Sequence, residues 1–197
     1  MSNFLVVDTS SRYLTVAAKK NGNLIISHLP ECAMRHSVIL MNEVEAAFKE
    51  AGLTPLECDF FGAVTGPGSF TGIRIGISTA KGLAMGAGKP LLGLTSFQLI
   101  AYNVNSDNFC VVIDAAHSHF YAQGFGKNAF PPAYLSLEEV LALGCPLYGF
   151  EDLPLPDYTR LDVKDCLCPA ILRCEGELSD DISALYVRKS QAEEGRK

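Results

Sequence analysis

Residues 60–88, FFGAVTGPGSFTGIRIGISTAKGLAMGAG, open on an apolar run from Phe60 to Val64 that ends in a Gly66-Pro67-Gly68 turn. A helix-like segment from Gly72 to Gly86 follows directly, so the order reads strand, glycine loop, helix. Such a junction converges backbone N–H groups, and its glycines let the chain turn tightly and approach an anion at the helix N-terminus. The plainer reading makes Ser69 or Thr71 a helix cap and nothing more. The loop lacks the Gly-Lys-Ser/Thr ending of a P-loop and the spacing of a dinucleotide fingerprint, so neither mechanism transfers to it.

The helix carries more information. At about 100° per residue, Gly72, Gly76, Ala80 and Ala84 fall on one side with Ile73, Ile77 and Leu83 around them, while Ile75, Gly82, Met85 and Gly86 lie across the axis. Arg74 and Lys81 are its only charges. A helix apolar nearly all round needs cover on both faces. Its own sheet supplies one; the second is either another protein, for which small residues four apart suit close helix packing, or the interior of the same domain.

Outside this segment the chain is that of an ordinary folded protein. Its 197 residues fit one domain or two small lobes, 48% hydrophobic and 19% charged, with no apolar stretch long enough to span a bilayer. A cytoplasmic location is expected. The net charge of −6 argues against binding nucleic acid directly, which needs clustered Lys and Arg. Seven cysteines read as reduced thiols; Cys166, Cys168 and Cys174 have C-x-C rather than C-x-x-C spacing, so no metal is expected.

Toward the N-terminus, residues 3–8, 13–19 and 23–28 read as strands, the last two joined by an Asn21-Gly22 hairpin turn. Ala33 to Gly52 reads as a helix packing Leu40, Met41, Val44, Ala47, Phe48 and Ala51 on the sheet, with Val38, Ile39 and Ala46 as a small apolar patch opposite. Pro90–Leu94 reads as a strand and Thr95–Asn103 as a capped helix. Toward the C-terminus, Phe109–Asp114 and His119–Phe125 are strands, so that Asp114 ends a strand as Asp8 does. Residues 126–133 read as a loop with two prolines, 136–143 as a helix with a Ser-x-x-Glu capping box, 146–150 as a strand and 151–169 as loop. Residues 169–174 read as a further strand and 179–185 as a short helix.

GPGSFTGIRIGISTAKGLA resembles the signature segment of the TsaB (YeaZ) family, which takes part in making threonylcarbamoyladenosine (t6A) in tRNA. LVVDTS, RHSVIL at 35–40, PLLGLTSFQ at 90–98, VVIDAAHSHFYA at 111–122 and ALYVRKSQA agree in order. The resemblance implies an α/β, two-lobed actin-like (ASKHA, ribonuclease H-like) fold, each lobe a mixed sheet with helices. Its lobes are expected at residues 1–104 (βββαβαβα, with the partner-binding helices) and 105–185, followed by a charged tail at 186–197. It also implies a degenerate relative of TsaD: a subunit without catalytic residues or cofactor that pairs with and supports that threonylcarbamoyltransferase, recruits the ATPase TsaE, meets tRNA only through the complex and forms a homodimer alone. Gly72, Ile73, Gly76, Ile77, Ala80, Leu83, Ala84, His36, Val38 and Ile39 are the expected partner interface. In active superfamily members, residues placed like Asp8, Thr9, Ser10, Gly66, Gly68, Ser69 and Asp114 hold phosphate and Mg²⁺; here they are read as vestigial phosphate loops, with an Asx or Ser/Thr turn as the plainer account of Asp8-Thr9-Ser10. His36 lacks the second His of the TsaD metal pair, and Asp114-Ala115-Ala116-His117 replaces the family's Asp-Ala-Arg.

Two enzymatic readings stand beside the subunit. One is an ATP-dependent phosphotransferase using Asp8 and Asp114, which meets only part of the need for positioned phosphate, metal and base. The other is a glycoprotease-like peptidase, for which Ser69 has no identifiable His partner.

Overall fold

The structure is a computed structural model that describes residues 2–188. Strands β1 (Phe4–Asp8), β2 (Leu14–Lys20) and β3 (Asn23–Leu29) form an antiparallel meander, and β4 (Phe60–Val64) and β5 (Leu91–Leu94) add to it in parallel in the order β3-β2-β1-β4-β5. Helix α1 (His36–Ala51) joins β3 to β4, α2 (Phe70–Ala87) joins β4 to β5, and α3 (Ser96–Ala101) follows β5. The second sheet repeats the plan. An antiparallel meander of β6 (Asn108–Asp114), β7 (His119–Gly126) and β8 (Phe130–Ser136) is extended in parallel by β9 (Leu147–Gly149) and β10 (Tyr158–Arg160) in the order β10-β9-β6-β7-β8. Helix α4 (Leu137–Leu141) joins β8 to β9, and α5 (Val163–Cys174) follows β10.

Strand alternation divides the apolar residues into layers. Leu5, Val7, Val16, Phe61 and Ala63 pack under α1 and α2. Phe4, Val6, Phe60 and Leu92 face the other way, against Phe97 and Ile100 of α3, Leu167 and Ile171 of α5, and Phe109 and Val111 of the second sheet. Helices α3 and α5 are therefore the shared filling between the two sheets, and the cleft between the lobes opens beside them.

Three expectations are corrected. Residues 130–136 form a strand rather than a loop: β8 is an edge strand, and Pro131-Pro132 sit in an irregularity where Ala122 pairs with Ala133 but Gly124 with Phe130, so their missing N–H groups cost no ladder bond. The region from 158 to 174 is strand β10, paired in parallel with β9, followed by helix α5, rather than loop and strand; Asp162 caps α5 by accepting from Lys164 N, and exposed Pro169 leaves the carbonyl one turn back to solvent. Residues 179–185 are extended rather than helical, because Ser179 exchanges backbone bonds with Leu91 (2.8 and 2.9 Å) and Ile182 is buried against the first lobe. The expected charged tail at 186–197 lies outside the described residues from 189 onward.

Candidate functional site

Strand β1 ends at Asp8, fully buried behind the Ser10 wall of the interlobe cleft. Its Oδ1 accepts from Ser10 N (2.9 Å) and Ser10 Oγ (2.7 Å), which is the Asx turn of the plainer reading. The next two residues tie this turn to the glycine loop: Thr9 Oγ1 donates to Gly72 O (2.7 Å), and Ser10 O accepts from Ser69 N (2.6 Å). The backbones approach so closely that a Cβ at Gly68 would strike the Ser10 carbonyl and one at Gly72 the Thr9 carbonyl. Two glycines are thus required by the contact with β1's turn, whatever binds in front of it.

Ser69 caps α2, its Oγ accepting from Gly72 N at 3.2 Å. Ser69→Ala is expected to cost about 1 kcal/mol, a fall of about 3 °C in thermal melting; an unchanged melting temperature would remove the cap from this account. The N–H groups of Ser10, Ser69 and Gly72 all have protein partners. An anion cannot use them without displacing the bonds that hold the loops together.

The opposite wall comes from the second lobe. Asp114 Oδ1 accepts from Ala116 N (2.8 Å), repeating the Asp8 turn, but Asp114 is exposed where Asp8 is buried. Ala116, His117 and Ser118 then run in the left-handed region (φ 63°, 53° and 58°), a costly conformation for three side chains in a row. The cleft between the walls holds about 540 Å³, and Ser10, Gly68, Ser69, Gly72 and Asp114 line it.

Glu151, which the sequence does not single out, reaches the cleft from the loop after β9. Its Oε1 accepts a long bond from Ser11 Oγ (3.5 Å) across the lobes, and its Oε2 is buried with no hydrogen-bond partner among the described residues. Burial, with the Asp114 charge adding, pushes the Glu151 carboxyl up to about 7. Burial also raises Asp8, and it raises Tyr13 well above the phenol range, with the charges of Asp8 and Glu151 adding. Burial thus favours the neutral forms of both carboxyls, and Arg12 lines the cleft with Glu151.

The expected partner interface divides. Gly72, Ile73, Gly76, Ile77, Ala80 and Ala84 are buried on α2's inward side, where the sheet takes them, and Leu83 and Ile39 are half-buried. His36 is buried too: its Nε2–H donates to Tyr13 O (2.9 Å), tying the start of α1 to β2. Only Val38 of that set is exposed, at 71%, and Met41, expected in the core, is 52% exposed beside it. The outward side of α2 consists instead of Ser78, Gly82, Met85 and Gly86, with Arg74 at its start.

Two copies of a five-stranded mixed sheet of one topology, facing a common cleft, define a two-lobed protein of actin-like fold. YeaZ from Pseudomonas aeruginosa superposes with a TM-score of 0.77 at 23% identity, covering 94% of this chain and 100% of that one. Residues 23–154 match the family TsaD: tRNA N6-adenosine threonylcarbamoyltransferase. The chain belongs to this family. The tRNA threonylcarbamoyladenosine biosynthesis protein TsaB of Escherichia coli K12 is 32% identical over 97 residues (49% of this chain, 42% of that protein). Its namesake from Bacillus subtilis 168 is 30% identical over 99 residues (50% and 43%). A tRNA N6-adenosine threonylcarbamoyltransferase of Clostridium botulinum strain Hall is 28% identical over 177 residues (73% and 52%). The chain thus spans about half the length of the curated relatives it matches.

Proposed function

We propose that this chain is a non-catalytic subunit of a cytoplasmic t6A-forming complex, pairing with a TsaD-type threonylcarbamoyltransferase through the outer faces of α1 and α2 and recruiting the ATPase TsaE. The observation that carries the pairing is the outward apolar face: Val38 and Met41 on α1, and Met85, 87% exposed, on α2. Between them Ser78, Gly82 and Gly86 stand four apart, and a Cβ at either glycine meets nothing within 4 Å. That track lets a second helix come close. With no partner at hand, the same face pairs with its own copy. A net charge of −6 leaves tRNA contact to the partner.

The non-catalytic reading rests on the stitched loops: the Ser10, Ser69 and Gly72 amides at the loop junction already bind protein groups. Millimolar Mg-ATP is therefore expected to leave the melting temperature of the isolated chain unchanged; a rise would restore the phosphotransferase reading.

The pairing is tested by size-exclusion chromatography with light scattering on the chain mixed with TsaD from the same cell. A one-to-one complex is expected. Gly82→Arg with Met85→Glu should weaken it at least about tenfold while leaving the melting temperature of the isolated chain unchanged. A variant that pairs as tightly as the wild type would move the interface elsewhere, and absence of any complex would end the pairing.

A further inference from the structure

After α5 the chain leaves the layer between the sheets and returns along the first lobe. Ser179 pairs with the β5 edge at Leu91, Asp181 forms an ion pair with Lys81 of α2, and Leu185 N donates to Thr65 O (2.8 Å) at the start of the glycine loop. Ile182 is buried, close enough that a Cβ on Gly93 would lie 3.0 Å from it.

The next residues hold one group from each lobe. Tyr186 packs tilted against Phe70, the first residue of α2, with ring centres 4.9 Å apart, and its hydroxyl accepts from Arg74 Nε (2.9 Å); the Arg74 guanidinium in turn lies 3.8 Å from the centre of the Phe70 ring. Two residues on, Arg188 Nη1 donates to the hydroxyl of Tyr134 on β8 (2.7 Å) and its guanidinium lies over that ring at 4.8 Å. Tyr134 stacks on His119 at 4.7 Å, nearly parallel, and His119 closes the turn that Asp114 begins, its N–H donating to Ala116 O (3.1 Å). Phe70 adjoins Ser69 on one wall of the cleft, and the His119 turn carries Asp114 on the other.

We infer that residues 186–188 form a clasp across one end of the cleft, fixing the separation of the glycine loop from the Asp114 turn, and that docking on α2 releases it through Arg74. The first part stands on the contacts above. The second rests on the docking reading: Arg74 is exposed at the start of α2's outward side, so a partner that engages its guanidinium draws it off Tyr186 and Phe70. The Arg74 bond to Tyr186 and its contacts with the Phe70 and Tyr186 rings then go together, and the two loops separate by local opening rather than by unfolding of the buried layer.

Hydrogen–deuterium exchange on the full chain tests this with Tyr186→Ala and, in case that variant does not fold, Arg74→Gln. Amides in 66–72 and in 114–119 are expected to exchange about tenfold faster in both variants while α1 is unchanged. Acceleration confined to 178–188, with 114–119 unchanged, would make the segment a strap on one lobe and overturn the clasp. Adding the TsaD-type partner to the wild type should speed exchange at 114–119 about fivefold, with no further gain in Arg74→Gln. A complex that forms without moving 114–119 overturns the coupling and leaves the docking intact. Failure to form any complex overturns the docking and the coupling with it, and the exchange of the isolated variants still decides the clasp.

Discussion

Ala80→Arg is expected to cost about 4 kcal/mol and to lower the melting temperature of the isolated chain by roughly 10 °C, because it forces a guanidinium into an apolar layer. Ala80 is 1% exposed, on the side of α2 that lies on β1 and β4. Gly76→Leu is expected to act the same way through overpacking. A Cβ at Gly76 already lies 2.6 Å from Thr9 Oγ1 and 3.6 Å from Val7, so the rest of a leucine has nowhere to go short of moving the helix off the sheet. Thr9 would then lose its bond to Gly72 O, and the turn holding Asp8 would come apart with it. Gly82→Leu, half a turn round the same helix, should leave melting unchanged, since its Cβ meets nothing. Thermal melting of the three variants decides which side of α2 looks inward. Equal stability of Ala80→Arg and Gly82→Leu would sink the assignment.

This contrast marks what could be read from the residues. The strand, glycine loop and helix at 60–88 were legible because a buried apolar run, a turn tripeptide and a helical period succeed one another there. That α2 needs two covers was legible as well. Which side the sheet takes was not, because both sides carry small and apolar residues. The close approach of Thr9 decides it, and Thr9 lies 63 residues away from Gly72. Helix α5 shows the opposite case. Val163, Cys166, Leu167, Ala170, Ile171 and Cys174 are spaced as one helical face, and that period was available. Pro169 hid it, although a proline on the exposed side costs a helix only a bond that water can replace.

The cleft divides similarly. Asp8 and Asp114 were legible as paired strand ends, since both meanders finish their first strand on an aspartate. Glu151 was not, because it becomes part of the floor only when the second lobe docks on Ser11, 140 residues earlier. No local pattern distinguishes it from Asp152 or Asp157 in the same acidic stretch.

Glu151→Gln is expected to stabilise the chain by about 3 kcal/mol at pH 8, raising the melting temperature by roughly 6 °C or more, and to have little effect at pH 4. The sign follows from the direction of the shift. The carboxyl titrates near its ordinary 4.5 when unfolded and at about 7 when buried, so the native state keeps a proton that the unfolded chain has released. Stability from this group is full below 4.5, falls as the pH rises and is lost above 7. Glutamine keeps the shape and the neutral charge of the protonated form at every pH, so it removes the loss without moving the side chain. The pH dependence of the other groups is common to both proteins, including that of Asp8, raised by burial, and His28, lowered by it; the difference between the two melting curves isolates Glu151. Curves that run parallel from pH 4 to 8 would mean that Glu151 titrates as an exposed carboxylate and that Arg12 or solvent reaches its Oε2. Divergence above pH 5 would mean that the lobes close on a neutral acid, and that at physiological pH the width of the cleft is set partly by whether one carboxyl holds its proton.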